Sequence, residues 1–242
     1  MLDIKIWWKK ITIGIILLGF VFGLQHAFEP DHVVAISSLV SEHKKIKKSS
    51  ILGAIWGLGH TTILFIAGLI VLTLKITIPE KISLSLEMLV GLVIISLGIN
   101  VIWNLFTKNK HCHIHNHDGK VHTHSHNHNH SITHNQEHSH KHYYKSYAVG
   151  LIHGMAGSAS LMLLVLATIN SYLLGIIYIL IFGIGSMIGM TIVGGIISIP
   201  FVFTSNKFNL LNKRIRYATG VFSIFFGLFI IYNVGIIQGL II

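Results

Sequence analysis

The sequence has little of what soluble or secreted domains are built from. Only 11% of its 242 residues are charged, whereas a soluble domain carries about 25%. A single cysteine, Cys112, excludes an intramolecular disulfide framework. Neither an H-E-x-x-H metalloprotease motif nor a G-x4-G-K-[ST] nucleotide-binding motif occurs. The sequence therefore predicts that the protein is not an enzyme and has no nucleotide site of its own.

Long apolar runs take the place of the missing charge. Hydrophobic residues make up 52% of the chain, mean hydropathy is +0.70, and 23 glycines against 3 prolines suit closely packed membrane helices. The predicted fold class is all-α, a polytopic protein of the plasma membrane with about six transmembrane helices. The spans cover roughly 11–40, 50–74, 84–106, 147–169, 171–203 and 217 to the C-terminus. The first resembles a signal peptide but lacks an A-x-A-like cleavage site, so we interpret it as a retained span.

The two halves of the chain resemble each other at an offset of roughly 127 residues. The matching pairs are GLQHA at Gly23 with GLIHG at Gly150, WGLGH at Trp56 with FGIGS at Phe182, and GLVIISLGINVIWN at Gly91 with GVFSIFFGLFIIYN at Gly220. Three spans per half would place the second half upside down, which predicts a 3+3 inverted repeat. The domains are then 11–106, a His-rich loop at 107–146, and 147–242. The alternative is a coincidence of glycine and isoleucine composition.

Lysine and arginine are unevenly distributed over the loops. The first, third and fifth loops hold 13 of the 18 basic residues. Basic loops face the cytoplasm, so the His-rich loop is predicted to be cytoplasmic and both termini to lie outside. The net charge of +10 does not indicate a nucleic-acid partner, because the basic residues cluster between apolar segments.

The stretch GLQHAFEPDHVVAISSL at 23–39 places His26, Glu29, Asp31 and His32 inside an apolar span. Ionisable groups at membrane depth are costly and indicate a functional site. Imidazole and carboxylate together suit a divalent first-row metal. An intact helix would separate His26 and His32 by about 240° around its axis, whereas a break at Pro30 would let them converge. The alternative is a helix N-cap at Asp31 with interfacial histidines.

Two further histidines lie inside predicted spans, His60 in GLGHTTIL and His153 in GLIHGMAGSASL. The first, second, fourth and fifth spans each carry a Gly-x3-Gly pair, which lets helices pack closely. These four spans also hold every intramembrane histidine. The candidate metal ligands are His26, Asp31, His32, His60 and His153. Ordinary glycine packing without function is the alternative explanation for the spacing.

A His-rich tract runs from residue 111 to residue 142 and contains 13 of the 18 histidines. Such tracts bind metals with low specificity. The tract has no apolar face, so we expect it to be disordered without metal. Its position between two spans and its mixed spacers argue against a purification tag. We interpret it as a metal buffer or entry sensor and not as the path across the membrane.

These motifs resemble those of the nickel/cobalt transporter family. The family signature His-x4-Asp-His is similar to His26, Asp31 and His32, and Leu-Gly-His-Ser/Thr is similar to residues 58–61. HAFEPDH and GLIHGMAGSASL look like the urease-accessory, nickel-permease-like branch. The resemblance implies transport of Ni(II) or Co(II), and no resident cofactor is predicted. Because the sequence has no nucleotide-binding motif, we expect transport to be driven by a gradient or by an ATPase on another chain. A cytoplasmic metallochaperone or nickel enzyme is the protein partner it suggests.

Two other functions remain open at this point. A zinc or iron exporter of the cation-diffusion type also has six spans and a His-rich loop. A membrane-bound metallochaperone, for example for urease, would hold metal without moving it. The donor types alone indicate only a first-row divalent ion, since the general affinity order of such sites favours copper and does not single out nickel.

Overall fold

The structure is a computed structural model that describes residues 2–76, 78–107, 113–117, 120–124, 135–154, 166, 168–169 and 171–241. Almost all of these residues are helical. The helices are α1 Leu2–His26, α2 Pro30–Val40, α3 Ile46–Leu74, α4 Glu80–Thr107, α5 Asn135–His153, α6 Tyr172–Lys207 and α7 Asn209–Tyr232. A π-helical segment, Asn233–Ile237, continues α7, and two short strands, β1 His113–His117 and β2 Lys120–His124, precede α5.

Four helices, α3, α4, α6 and α7, are each long and apolar enough to cross a membrane. A bent pair formed by Ile13–His26 and Pro30–Val40 can serve as a fifth, broken span. The predicted all-α, multi-pass class is therefore confirmed. Of the predicted span 147–169, α5 forms the beginning, and most of the remainder lies outside the described residues.

Several element ends differ from the sequence prediction. Helix α5 begins at Asn135, inside the region predicted to be loop, and α7 begins at Asn209, so only Phe208 separates it from α6. Apolar runs mark the hydrocarbon layer, but a helix can continue into water with its backbone hydrogen bonds intact and its lysines and arginines solvated. Hydropathy therefore located the spans and underestimated the helix lengths.

The His-rich tract also differs from the prediction. Strands β1 and β2 pair antiparallel, with His113 opposite His124 and His115 opposite His122. The prediction of disorder is therefore wrong for these two segments.

The most extensive helix–helix packing joins α3 to α6, α4 to α7, α1 to α6 and α3 to α5. Helices α1, α3, α5 and α6 carry the Gly-x3-Gly pairs, so the helices that pack closely include all four predicted from that spacing. A Cβ atom at Gly23 would collide with the carbonyl oxygen of Phe182, and one at Gly150 with the carbonyl oxygen of Trp56. Glycine is thus what lets α1 meet α6, and α3 meet α5, at backbone distance.

Candidate metal centre

The break between α1 and α2 places polar side chains deep in the helix bundle. Pro30 is the first residue of α2, where its missing N–H costs no helical hydrogen bond. Glu29 precedes it in extended conformation, and the two helices meet at 55°. The amide groups of Phe28 and Glu29 donate to the carbonyl oxygens of Gln25 and His26 at 2.9 and 3.1 Å. The predicted break at Pro30 is confirmed, and the backbone around it keeps hydrogen-bond partners.

His26, the last residue of α1, contacts α3 and the break at the same time. Its Nε2 lies 2.9 Å from Nε2 of His60, and its Nδ1 lies 2.9 Å from a carboxylate oxygen of Glu29. With the Nδ1–H donating to Glu29, the Nε2 of His26 is the nitrogen left to face His60. Both rings are buried, with 4% and 0% of the residue exposed. This is the arrangement of a carboxylate that orients a metal-binding imidazole.

Asp31, in the first turn of α2, joins the two halves of the chain. One carboxylate oxygen lies 3.0 Å from Nδ1 of His32, and the other lies 3.3 Å from Nε2 of His153 on α5. The contact with His153 has the distance of an ion pair but not the angles of a hydrogen bond, since this Nε2 has no hydrogen-bond partner within the described structure. His32 and His153 are fully buried, whereas 26% of the Asp31 side chain is exposed.

The five ligands predicted from the sequence therefore come together. Their donor atoms form two groups, His26 with His32 and His60, and Asp31 with His32 and His153, each with all members within 4.8 Å of one another. Several of the ring nitrogens have no hydrogen-bond partner among the described residues: His32 Nε2, His60 Nδ1 and both nitrogens of His153. Buried polar atoms normally have partners, so unpaired imidazole nitrogens in a cluster of histidines fit a site for a divalent cation.

The sequence analysis did not include some side chains that surround the cluster. Trp56 lies four residues before His60, on the same face of α3, with its ring centroid 5.2 Å from that of His32 and 5.4 Å from that of His153. Glu29 is not among the five predicted ligands, although its spacing of three from His26 is the sequence signal for their contact. Ser186, which the match of WGLGH with FGIGS aligns with His60, is fully buried, and its hydroxyl has no partner in the described part of the chain.

Two cavities approach the cluster from different directions. A cavity of about 370 Å³ lies beside the helix break and is lined by His26, Glu29 and Phe182 among others. A second, of about 250 Å³, is lined by residues that include Ser38 and Lys145. Lys145 precedes His153 by eight residues on α5, which at 1.5 Å per residue is a distance of about 12 Å along the helix. The first cavity reaches a candidate ligand and the second does not.

Comparison with known proteins agrees with this chemistry. Residues 12–239 match the family NicO, described as high-affinity nickel-transport protein. The chain is 39% identical over 228 residues to urease accessory protein UreH of Bacillus sp. (strain TB-90), which covers 94% of this chain and 95% of that protein. It is 24% identical over 173 residues to the Chloroplast protein FOR GROWTH AND FERTILITY 1 of Arabidopsis thaliana, covering 71% of this chain and 46% of that one. No solved structure matches.

The resemblance stated from the two histidine motifs is thus confirmed by a match that spans nearly the whole chain. Family membership also sets aside the exporter of the cation-diffusion type. With its apolar helices and its buried histidine cluster, the chain belongs to the NicO family of high-affinity nickel-transport proteins and is a multi-pass membrane protein.

Proposed function

We propose that this protein carries Ni(II), and Co(II) with it, across the plasma membrane through the cluster of His26, Asp31, His32, His60 and His153. The observation that carries the proposal is the convergence of these five side chains, from α1, α2, α3 and α5, in one buried cluster. Polar and ionisable groups at membrane depth are costly to keep. Four imidazoles and one carboxylate whose donor atoms form two groups, each within 4.8 Å, are explained by an ion that they bind.

The helix break contributes a specific property to this site. Because α1 ends at His26 and α2 begins at Pro30, side chains that a straight helix would direct apart face the same space. Broken helices near the middle of the membrane form the substrate sites of many transporters. Asp31 is in the first turn of α2, where the helix dipole favours its negative charge. A carboxylate kept ionised there would compensate part of the charge of a divalent ion.

An inverted repeat of six spans, with halves 11–106 and 147–242, is the architecture we propose around the site. Reciprocal contacts support it. A two-fold operation that exchanges the halves would match Gly91 with Gly220 and Gly98 with Gly227. The close approaches between α4 and α7 obey that exchange, since Gly91 meets the carbonyl oxygen of Gly227 and Gly220 meets that of Gly98. The Gly23–Phe182 and Gly150–Trp56 approaches are a second reciprocal pair.

We further propose that the His-rich loop faces the cytoplasm and that both termini lie outside. In this orientation the second cavity, which contains Glu42 and Lys145, opens at the cytoplasmic end. At that end of the bundle, a guanidinium nitrogen of Arg216 on α7 forms an ion pair with a carboxylate oxygen of Glu42 at 3.1 Å. An ion in the cluster would then be separated from the cytoplasmic cavity in the state described here, and a movement of the helices would be needed to connect them.

Uptake of radiolabelled nickel into proteoliposomes containing the purified full chain tests the proposal. The parent protein should accumulate nickel, and Asp31→Asn, which keeps the shape and removes the charge, should not. Glu80→Gln is the matched control, because Glu80 is an exposed carboxylate at the start of α4. Equal uptake by Asp31→Asn and the control, at equal protein content, would overturn the assignment of the site.

A second candidate function is delivery of nickel to an enzyme such as urease. It is favoured by the 39% identity to a protein named urease accessory protein. A protein that only held the ion for a cytoplasmic metallochaperone or nickel enzyme would bind nickel but leave the lumen of the proteoliposomes empty. A nickel-sensitive dye enclosed in the vesicles separates the two functions, since only transport brings the ion to the dye.

A further inference from the structure

The donor atoms of the cluster form two groups that share one residue. We call His26, His32 and His60 triad A, and Asp31, His32 and His153 triad B. Ligands bonded to the same ion at about 2.1 Å lie at most about 4.2 Å apart, and the described residues give two compact groups instead of one group of five. The two triads also differ in their donor types, because triad A offers three imidazoles and triad B offers two imidazoles and a carboxylate.

His32 is a member of both triads. Its Nδ1 lies 3.0 Å from a carboxylate oxygen of Asp31, and its buried Nε2 has no hydrogen-bond partner in the described structure. Its ring is centred 4.4 Å from the His26 ring, 5.2 Å from the His60 ring and 4.8 Å from the His153 ring. A neutral imidazole has one lone pair and one N–H, so it can ligate one ion at a time. His32 can therefore ligate an ion in triad A or in triad B, but not one in each at the same time.

From this geometry we infer that the intramembrane site has two positions, triad A and triad B, which share His32 and hold one ion between them at a time. The inference deepens the proposed function and rests on it. Triad A lies at the cavity beside the helix break, since His26 lines that cavity. Triad B lies on α2 and α5, and these helices also carry Ser38 and Lys145, which line the second cavity. Of the two triads, only triad A includes a residue that lines the first cavity.

The two positions explain how a site can bind tightly and still release its cargo. Transport needs binding that is favourable enough for the ion to enter, and that is spread over more than one position so that the ion can leave. A single pocket with all five ligands would hold the ion strongly in one place. With the ligands divided, an ion that moves from triad A to triad B exchanges His26 and His60 for Asp31 and His153, so neither position holds it with all five ligands.

Binding of Co(II) to the purified full chain in lipid nanodiscs tests the inference. The His-rich loop will bind cobalt as well, so the intramembrane ion is counted as the difference between the parent and His32→Ala, which have the same loop. We expect a difference of one Co(II) per chain. His60→Ala keeps triad B and His153→Ala keeps triad A, so each single variant should retain this ion and lose transport. The double variant, with both substitutions, should lose the ion as well as transport.

X-ray absorption at the cobalt edge provides a second readout that a loss of folding would not imitate. The intramembrane ion of His60→Ala should show two imidazoles and a carboxylate, and that of His153→Ala three imidazoles. Glutamine replaces alanine at either position if size-exclusion chromatography shows aggregation. A difference of two ions per chain, or loss of the ion in both single variants, overturns the two-position site and leaves the proposed transport intact. Full binding and transport by His32→Ala would instead overturn the proposed function.

Discussion

Glu29 offers a sharp test of how the metal centre is held together. Its carboxylate oxygen lies 2.9 Å from Nδ1 of His26, and its own side chain is 34% exposed beside the first cavity. We expect it to act as a positioning residue that keeps the Nε2 of His26 directed at the ion. Glu29→Gln preserves an acceptor oxygen and removes the charge, whereas Glu29→Ala removes both.

The expected magnitude follows from this contact. Loss of a carboxylate that orients a metal-binding histidine lowers metal affinity by about 10- to 100-fold. Because Glu29 is partly exposed, its contribution should fall at the low end, about tenfold or ~1.4 kcal/mol for Glu29→Ala. A charge-assisted hydrogen bond is roughly twice as strong as a neutral one. The glutamine variant should therefore retain about half of this free energy and lose affinity by about threefold.

Initial rates of nickel uptake into proteoliposomes, measured across nickel concentration, give the readout. The half-saturating concentration should rise in the order parent, Glu29→Gln, Glu29→Ala, while the maximal rate changes little. Glu80→Gln should match the parent. An unchanged half-saturating concentration in Glu29→Ala would refute the positioning role. Complete loss of uptake in Glu29→Gln would refute it differently, because it would make Glu29 a direct ligand.

Three further predictions concern packing, topology and the His-rich tract. Gly150→Val should lower the midpoint of thermal unfolding in detergent, because overpacking α5 against α3 costs about 1–3 kcal/mol. Gly14→Val is the control and should leave the midpoint unchanged, since no atom lies within 4 Å of a Cβ added there. Equal midpoints for the two variants would contradict the close approach of α5 to α3. In a Cys112→Ser background, Ser139→Cys should be shielded from impermeant thiol reagents on intact cells and a cysteine appended at the C-terminus should react; the opposite pattern inverts the topology. Deletion of 111–142 should leave the maximal transport rate intact and weaken transport at low metal concentration, because tethered imidazoles raise the local metal concentration to as much as about millimolar. The difference should fade toward pH 6, since the pKa of imidazole is about 6.5 and the protonated ring cannot bind metal. Equal loss of rate at every metal concentration would exclude a buffering role.

The effect expected for His153 changes once the structure is known. From the sequence alone a His153→Ala variant is expected to be milder than the others, because its neighbours along the chain supply no carboxylate. The structure places Asp31, from the other half of the chain, 3.3 Å from its Nε2. His153 therefore completes triad B, and we expect its loss to stop transport as fully as the loss of His60.

The sequence by itself determined the features that depend on local composition and spacing. Apolar runs identify membrane spans because the hydrocarbon layer selects for them independently of the fold. Pro30 predicts the broken span because proline constrains its own residue and the one before it. The intramembrane histidines and Asp31 stand out because each is costly where it lies. The family motif and the five candidate ligands follow from these local signals.

Only the tertiary structure decided how these residues are combined. The contact of Asp31 with His153 joins positions in opposite halves of the chain, and the pairing of His26 with His60 depends on how α1 and α3 meet. Division into two triads that share His32 depends on how α1, α3 and α5 pack around α2, and no spacing along the chain encodes that. The sequence identifies which side chains can donate to a metal. Helix packing sets the distances of a few ångströms that decide which of these side chains can bind the same ion.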